Sequence, residues 1–320
     1  MSASIGAVTY PKDGIDAPTL MNNADLAMYH AKGGGRTCYR PFAAGMSAHE
    51  AGRWLPGIAV LDSSRPDAVE RLPYTSSMTE SLFLTATQVS TFDGGRLLTR
   101  ASGFFFARDD RLFLVTSRHV VYDEPSGHFP DRIEMVFHVD ESNLTRVTGF
   151  SVLLYNGGRA VWRQGVDSAG DIDVAVVELE RKALPDPVVV RAFTAQHLQA
   201  SLQDIGVGAP LLIVGFPLGF YDTLHHLPVV RQATIASSFG VRFQGQGMFL
   251  TDGRTHRGTS GAAVVMRAAP RGDDGDELPW KLLGVHSGRL DMRTRDEQQD
   301  ESLGLNCAWY ADILLSLTNP

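Results

Sequence analysis

Cysteine is almost missing from this chain: among 320 residues only Cys38 and Cys307 carry a thiol. Two cysteines so far apart make neither a disulfide framework nor a metal-ligand spacing, so a reducing compartment and ordinary thiols are expected. Long apolar runs are also missing. No stretch reaches the length of a membrane span, and the start, Met1-Ser2-Ala3-Ser4-Ile5-Gly6, lacks the basic flank and apolar core of a signal peptide. Positive charge is not in excess either. With 29 basic residues against 36 acidic ones the net charge is −7, so no global basic field attracts nucleic acid or an anionic membrane surface. These absences point to a cytoplasmic protein without a nucleic-acid or membrane partner, and they leave the oligomeric state open. The hydrophobic share of 43% is enough to bury one large core plus an appendage.

The chain opens with a small α/β segment. Ala3 to Tyr10 alternates like a short strand, Pro11-Lys12-Asp13-Gly14 is a turn, and Leu20, Ala24, Ala27, Met28 and Ala31 give Ala17 to Lys32 a helical period. Gly33-Gly34-Gly35 then stops the helix and does not open one, so it is no phosphate cradle. Ala3-Ser4-Ile5-Gly6-Ala7-Val8-Thr9-Tyr10-Pro11-Lys12-Asp13-Gly14, followed by Asn23-Ala24-Asp25-Leu26-Ala27-Met28-Tyr29-His30-Ala31-Lys32, resembles the C-terminal tail of a diguanylate cyclase (GGDEF) domain. In that family the metal-binding carboxylates and the glycine-rich signature loop precede this strand. Nothing here matches them, so residues 1–45 are expected to be non-catalytic, and a cyclic-dinucleotide role is a remote alternative. Residues 46–78 mix Pro, Ser and Gly without a sustained period and read as a linker.

From about residue 79 to 320 the texture changes to short apolar runs separated by turn residues, among them Leu112 to Thr116, Val174 to Leu179, Leu211 to Gly215 and Leu282 to His286. Many short strands with few helices predict an all-β architecture, and the length suits two six-stranded antiparallel barrels. Ala308 to Leu317 is expected to close the chain as a helix.

Three signals stand in order within this texture. The first is Leu112-Phe113-Leu114-Val115-Thr116-Ser117-Arg118-His119, a strand that delivers a histidine at its end. The second is Asp171-Ile172-Asp173-Val174-Ala175-Val176-Val177-Glu178-Leu179, which offers two acids at the mouth of a buried strand. The third is Arg257-Gly258-Thr259-Ser260-Gly261-Ala262-Ala263, a small-residue turn carrying a hydroxyl into an apolar strand. A serine that attacks a carbonyl needs an exposed Oγ, and the oxyanion that follows needs backbone N–H donors, for which Gly258 and Ser260 are the candidates. His, Asp and Ser in this order is the order of chymotrypsin-like proteases.

Thr-x-x-His-Val, Asp-Val-Ala-Val-Val-x-Leu and Gly-Thr-Ser-Gly together resemble the trypsin-like serine peptidases, in their cysteine-poor bacterial branches, over about residues 80–318. The resemblance implies a chymotrypsin-like fold and endopeptidase activity on a protein or peptide substrate without cofactor or metal, with His119, Asp173 and Ser260 as the triad and Gly258 and Ser260 as the oxyanion hole. Asp171 is the rival acid, and the family spacing favours Asp173. The catalytically silent alternative is the same fold binding a peptide without cutting it. Val120 stands where secreted trypsins carry a cysteine, and Thr259 stands where zymogens carry the aspartate that pairs with a new amino terminus. Activation through that ion pair is therefore not expected. The family's primary pocket maps onto Arg254, Thr255 and His256 and onto Gly284-Val285-His286-Ser287-Gly288. No aspartate stands there to receive Lys or Arg. Gly-Val-His resembles the glutamyl endopeptidases, in which a histidine and a threonine receive the substrate side chain, so Glu or Gln before the cut bond is expected through His286 and Thr255, with Arg254, Ser287 and Gly288 around them. The polar runs Arg267 to Trp280 and Asp291 to Glu301 read as solvated loops, and His225-His226 as a loop pair without ligand spacing.

Overall fold

The computed structural model describes residues 80–199, 205–268, 278–290 and 304–319, together with residues 5–7, 12, 13, 23, 27 and 39–41. Two compact units divide the chain, residues 1–73 and 74–320. In the first, β1 (Ile5–Ala7) pairs in parallel with β2 (Tyr39–Pro41), Ile5 opposite Tyr39. Asn23 and Ala27 are helical, Ala27 is wholly buried, and Asn23 Nδ2 donates to the Asp13 carbonyl at 2.7 Å. The rest of the expected helix, the triple glycine, Cys38, the linker at 46–78 and most of the two polar loops lie outside the described residues.

The second unit is built on two antiparallel sheets. One has seven strands and contains β3 (Ala86–Asp93), β4 (Arg96–Arg108), β5 (Arg111–Thr116), β6 (Arg132–His138) and β7 (Val147–Leu153). After the small hairpin of β8 (Tyr155–Asn156) and β9 (Arg159–Ala160), β10 (Trp162–Asp167) and β11 (Gly170–Leu179) complete it in the order β10-β11-β5-β4-β3-β6-β7. The other sheet has six strands, β12 (Pro210–Gly215), β13 (Val229–Thr234), β14 (Met248–Thr251), β15 (Ala263–Arg267), β16 (Trp280–Arg289) and β17 (Asn306–Tyr310). Their order is β13-β12-β15-β16-β17-β14. Each sheet curls until its edges meet. Val161 N–H donates to the Leu154 carbonyl at 3.0 Å between the ends of β7 and β10, and Ala236 N–H donates to the Leu250 carbonyl at 2.8 Å between the ends of β13 and β14. This is the chymotrypsin-like double barrel.

Side-chain alternation explains why the strands are apolar nearly throughout. In β5, Leu112 and Leu114 point into the first barrel's core, while Phe113 and Val115 point into a second core shared with the other sheet. In β12, Leu211 and Ile213 fill the second barrel, and Leu212 and Val214 face the shared core. A strand buried on both faces needs apolar residues at every position. The shared core is the seam between barrels, and strand ends from both sheets meet there.

One expected element is different. Ala308, Trp309 and Tyr310 belong to β17, held between β14 (Met248 opposite Trp309) and β16 (His286 opposite Ala308), and only Ile313–Leu317 is helical. Pairing on both sides overrides the local helical preference of an apolar run.

Candidate active site

The register of β5 and β11 brings the histidine and the acid together. Ala175 lies opposite Thr116 in an antiparallel pair, so Asp173 falls beside the residues just beyond Thr116. There the chain leaves the strand into one helical turn, α1 (Arg118–Val121). Asp173 grips His119 at two points: Oδ1 accepts the His119 backbone N–H at 2.9 Å, and Oδ2 meets the ring Nδ1 at 2.7 Å. Ser287 Oγ, from the second barrel, donates to the same Oδ2. Asp171 points elsewhere, 3.8 Å from the Arg118 guanidinium. Burial opposes the ionised form of Asp173, but its bonds to His119 and Ser287 outweigh that and lower its pKa. Burial likewise works to lower the His119 pKa, yet the hydrogen bond and charge of Asp173 raise it overall. A proton shared with the carboxylate sits on Nδ1 and leaves Nε2 as the acceptor.

Ser260 lies in a turn whose carbonyls are all pinned outward. The Arg257 carbonyl accepts Leu218 N–H at 2.6 Å, the Thr259 carbonyl accepts Ala262 N–H at 2.9 Å, and the Ser260 carbonyl accepts Ser102 N–H at 2.9 Å. The Gly258 carbonyl accepts Ser102 Oγ at 2.7 Å. Because each peptide is planar and trans, a carbonyl held on one side turns the following N–H to the other. Thr259 N–H is used by the His256 carbonyl at 3.2 Å, whereas among the described residues the Gly258 and Ser260 N–H groups have no protein acceptor. Two glycines make the turn possible. At Gly258 (φ +88°) a Cβ would stand 2.6 Å from the Phe216 carbonyl oxygen, and at Gly261 (φ +84°) it would stand 2.2 Å from that of Ser102.

His119, Gly258 and Ser260 open on one cleft of about 960 Å³. Its far wall is the β3–β4 hairpin from Asp93 to Ala101, with Arg96 and Arg100, and the loop from Asp123 to Phe129. Among the described residues no group of three or more His, Cys, Asp or Glu side chains is placed to hold a metal ion.

With this geometry in place, comparison with known proteins finds that the family model of the trypsin-like peptidase domain matches residues 101–269, more than half of the chain. The chain belongs to the trypsin-like peptidase family. Among solved structures, the chain is similar to a serine endoprotease from Yersinia pestis (16% identity, 76% of this chain and 64% of that one, TM-score 0.42). It is also similar to an HtrA-type protease, AlgW, with a tripeptide (15% identity, 76% and 61%, TM-score 0.44). A bifunctional diguanylate cyclase/cyclic di-GMP phosphodiesterase of Pseudomonas aeruginosa is 53% identical over 49 residues, 15% of this chain and 7% of that protein. A match of that length fits the GGDEF-like opening segment. The chain spans less than two thirds of each of these proteins.

Around the expected specificity pocket the side chains divide. His286 is fully buried in β16, its Nδ1 has no hydrogen-bond partner among the described residues, and burial with the nearby His119 lowers its pKa to about 4. Its backbone braces the Ser260 turn: the carbonyl accepts Gly261 N–H at 2.7 Å, and the N–H donates to the Ala262 carbonyl at 2.9 Å. Thr255 is buried and donates through Oγ1 to Asn306 Oδ1 at 2.5 Å. Arg254 is exposed. Ser287, read from the sequence as a pocket residue, turns its hydroxyl to Asp173, and the Gly288 carbonyl accepts Cys307 Sγ at 3.4 Å. Sequence reading missed Ser102, Leu218 and Asn306. Ser102 and Asn306 act across more than 50 positions of chain and Leu218 on Arg257, 39 positions on, and no local pattern marks such a partner.

Proposed function

We propose that residues 79–320 act as a serine endopeptidase, with residues 46–78 as a linker and residues 1–45 as a non-catalytic remnant of a GGDEF domain. Ser260 Oγ attacks the substrate carbonyl while His119 Nε2 takes its proton. The tetrahedral oxyanion is held by the N–H groups of Gly258 and Ser260. His119 then hands the proton to the departing amine, and a water deprotonated by the same nitrogen hydrolyses the acyl-enzyme. Asp173 fixes the imidazole tautomer and stabilises the imidazolium. The observation that carries this proposal is the coincidence in one cleft of a carboxylate-bound His119, Ser260 and two backbone N–H groups without acceptors among the described residues. Each such donor contributes roughly 10²- to 10³-fold to the rate in enzymes of this kind.

For the residue before the cut bond the proposal is Glu or Gln, read by His286. With a pKa of about 4 its ring is neutral near pH 7 and keeps one N–H to donate to a carboxylate or amide oxygen. Thr255 already donates to Asn306, so its hydroxyl is left to accept, which suits the amide N–H of Gln. The test is a panel of peptides varying only that residue, cleaved by the wild-type protein and by Ser260→Ala. Cleavage that needs Ser260 and favours Glu or Gln is expected. Equal cleavage of Glu, Gln, Ala and Leu peptides would refute the specificity, and cleavage surviving Ser260→Ala would refute the mechanism.

A further inference from the structure

We propose that the Ser102 side chain is a positioning residue of the oxyanion hole, a role that rests on the peptidase reading of this site. Ser102 lies in β4 of the first barrel, far in sequence from the nucleophile turn, and is wholly buried. Each of its polar groups is engaged around that turn. Its N–H donates to the Ser260 carbonyl at 2.9 Å, and its carbonyl accepts Thr116 Oγ1 at 2.8 Å. Its hydroxyl accepts Phe216 N–H at 2.9 Å and donates to the Gly258 carbonyl at 2.7 Å.

The hydroxyl has a distinct place in this set. The peptide between Gly258 and Thr259 lies between the two N–H groups proposed to hold the oxyanion, so its orientation sets the angle between them. Its carbonyl is held by a side chain, whereas the three neighbouring carbonyls of the turn are held by backbone N–H groups. Because the Phe216 N–H fills the acceptor side of Ser102 Oγ, the hydroxyl proton is directed to Gly258. Gly258 has no Cβ to resist rotation of this peptide. Thr259 does not substitute for Ser102, since its own buried Oγ1 makes no hydrogen bond among the described residues. The zymogen aspartate is replaced here by that threonine, and Ser102 supplies the bracing of the turn from the opposite barrel.

The test compares Ser102→Ala and Ser102→Thr with wild type, using a peptide that wild type cleaves and a peptide boronate that forms the tetrahedral adduct on the nucleophile. For Ser102→Ala the expected result is a fall in kcat of about tenfold, the size of one hydrogen bond, with KM little changed. Boronate affinity should fall by the same factor, and Ser102→Thr, which keeps the hydroxyl, should restore both. A purely structural role would lower thermal stability without splitting kcat from KM and without moving boronate affinity. Ser102→Ala with wild-type kcat and boronate affinity overturns the inference, as does a loss confined to KM. If Ser102→Ala does not fold, Ser102→Cys, with its weaker S–H donor, must fall between Ala and wild-type behaviour in boronate affinity, and wild-type affinity there overturns the inference. Failure of the peptidase reading is recognised separately, because wild type itself then cleaves nothing and binds no boronate.

Discussion

Acidification is expected to destabilise this protein in part through His286, as through His138, whose pKa burial also lowers. An imidazole that titrates near 6.5 in an unfolded chain and at about 4 in the folded one binds its proton only in the unfolded state between those values. The unfolded state therefore gains stability as pH falls through that window. Linkage puts the loss at about 2.5 kcal/mol on going from pH 7.5 to 4.5, a large share of a typical domain's stability. Two other groups titrate nearby. Asp173, whose folded pKa is lowered, contributes stability that persists above its unfolded value and is lost only as pH falls through the folded one, so it is still present at pH 4.5. His119, whose folded pKa is raised, contributes stability that is fully present at low pH and is lost as pH rises through the folded value, the opposite sign to His286. Both remain in His286→Gln, and their effects cancel when the pH dependence of that variant is subtracted from that of wild type. The assay is urea unfolding followed by circular dichroism at the two pH values. His286→Gln should lose about 2.5 kcal/mol less than wild type on acidification, whatever its stability at pH 7.5. Equal losses in both proteins would refute the placement of a neutral, buried imidazole at this position.

Three further outcomes follow from the site. Asp173→Asn should lower kcat by roughly 10⁴-fold through loss of the required tautomer, while Asp171→Asn, which loses only a long, half-exposed ion pair with Arg118, should stay within about threefold. Initial-rate kinetics on one peptide separate the two, and comparable losses would show that the acid is misassigned. The acid limb of kcat/KM should fall above pH 6.5, because His119 must be neutral to act as base and its pKa is raised; a limb at or below that value would contradict the His119–Asp173 pairing. Gly261→Ala should unfold the turn or cost about 3 kcal/mol or more, since its Cβ would stand 2.2 Å from the Ser102 carbonyl oxygen at a left-handed φ. A thermal melt like that of wild type would count against this packing.

How much of this was legible beforehand differs from element to element. Leu112 to Thr116 and Val174 to Leu179 announced themselves as buried strands because both faces are apolar, and the catalytic candidates stand where such strands end. Ala308 to Tyr310 misled, since an apolar run of that composition suits a helix until strands on either side claim it. The family spacing already favoured Asp173 over Asp171, and the register of Ala175 against Thr116, which sequence alone cannot supply, puts the Asp173 carboxylate beside His119. Ser287 was read only as a pocket residue, because nothing in its own strand marks that its hydroxyl reaches across the seam to the Asp173 carboxylate of the other barrel. Ser102 was invisible for the same reason: its partners are Phe216 and Gly258, and its own strand carries no mark of them.

The most direct test of the central claim is labelling by a fluorophosphonate probe, which reacts only with an activated serine. Wild-type protein should be labelled at Ser260, and the label should vanish in both Ser260→Ala and His119→Ala. A folded wild-type protein that takes no label, or a label that survives Ser260→Ala, would contradict the account.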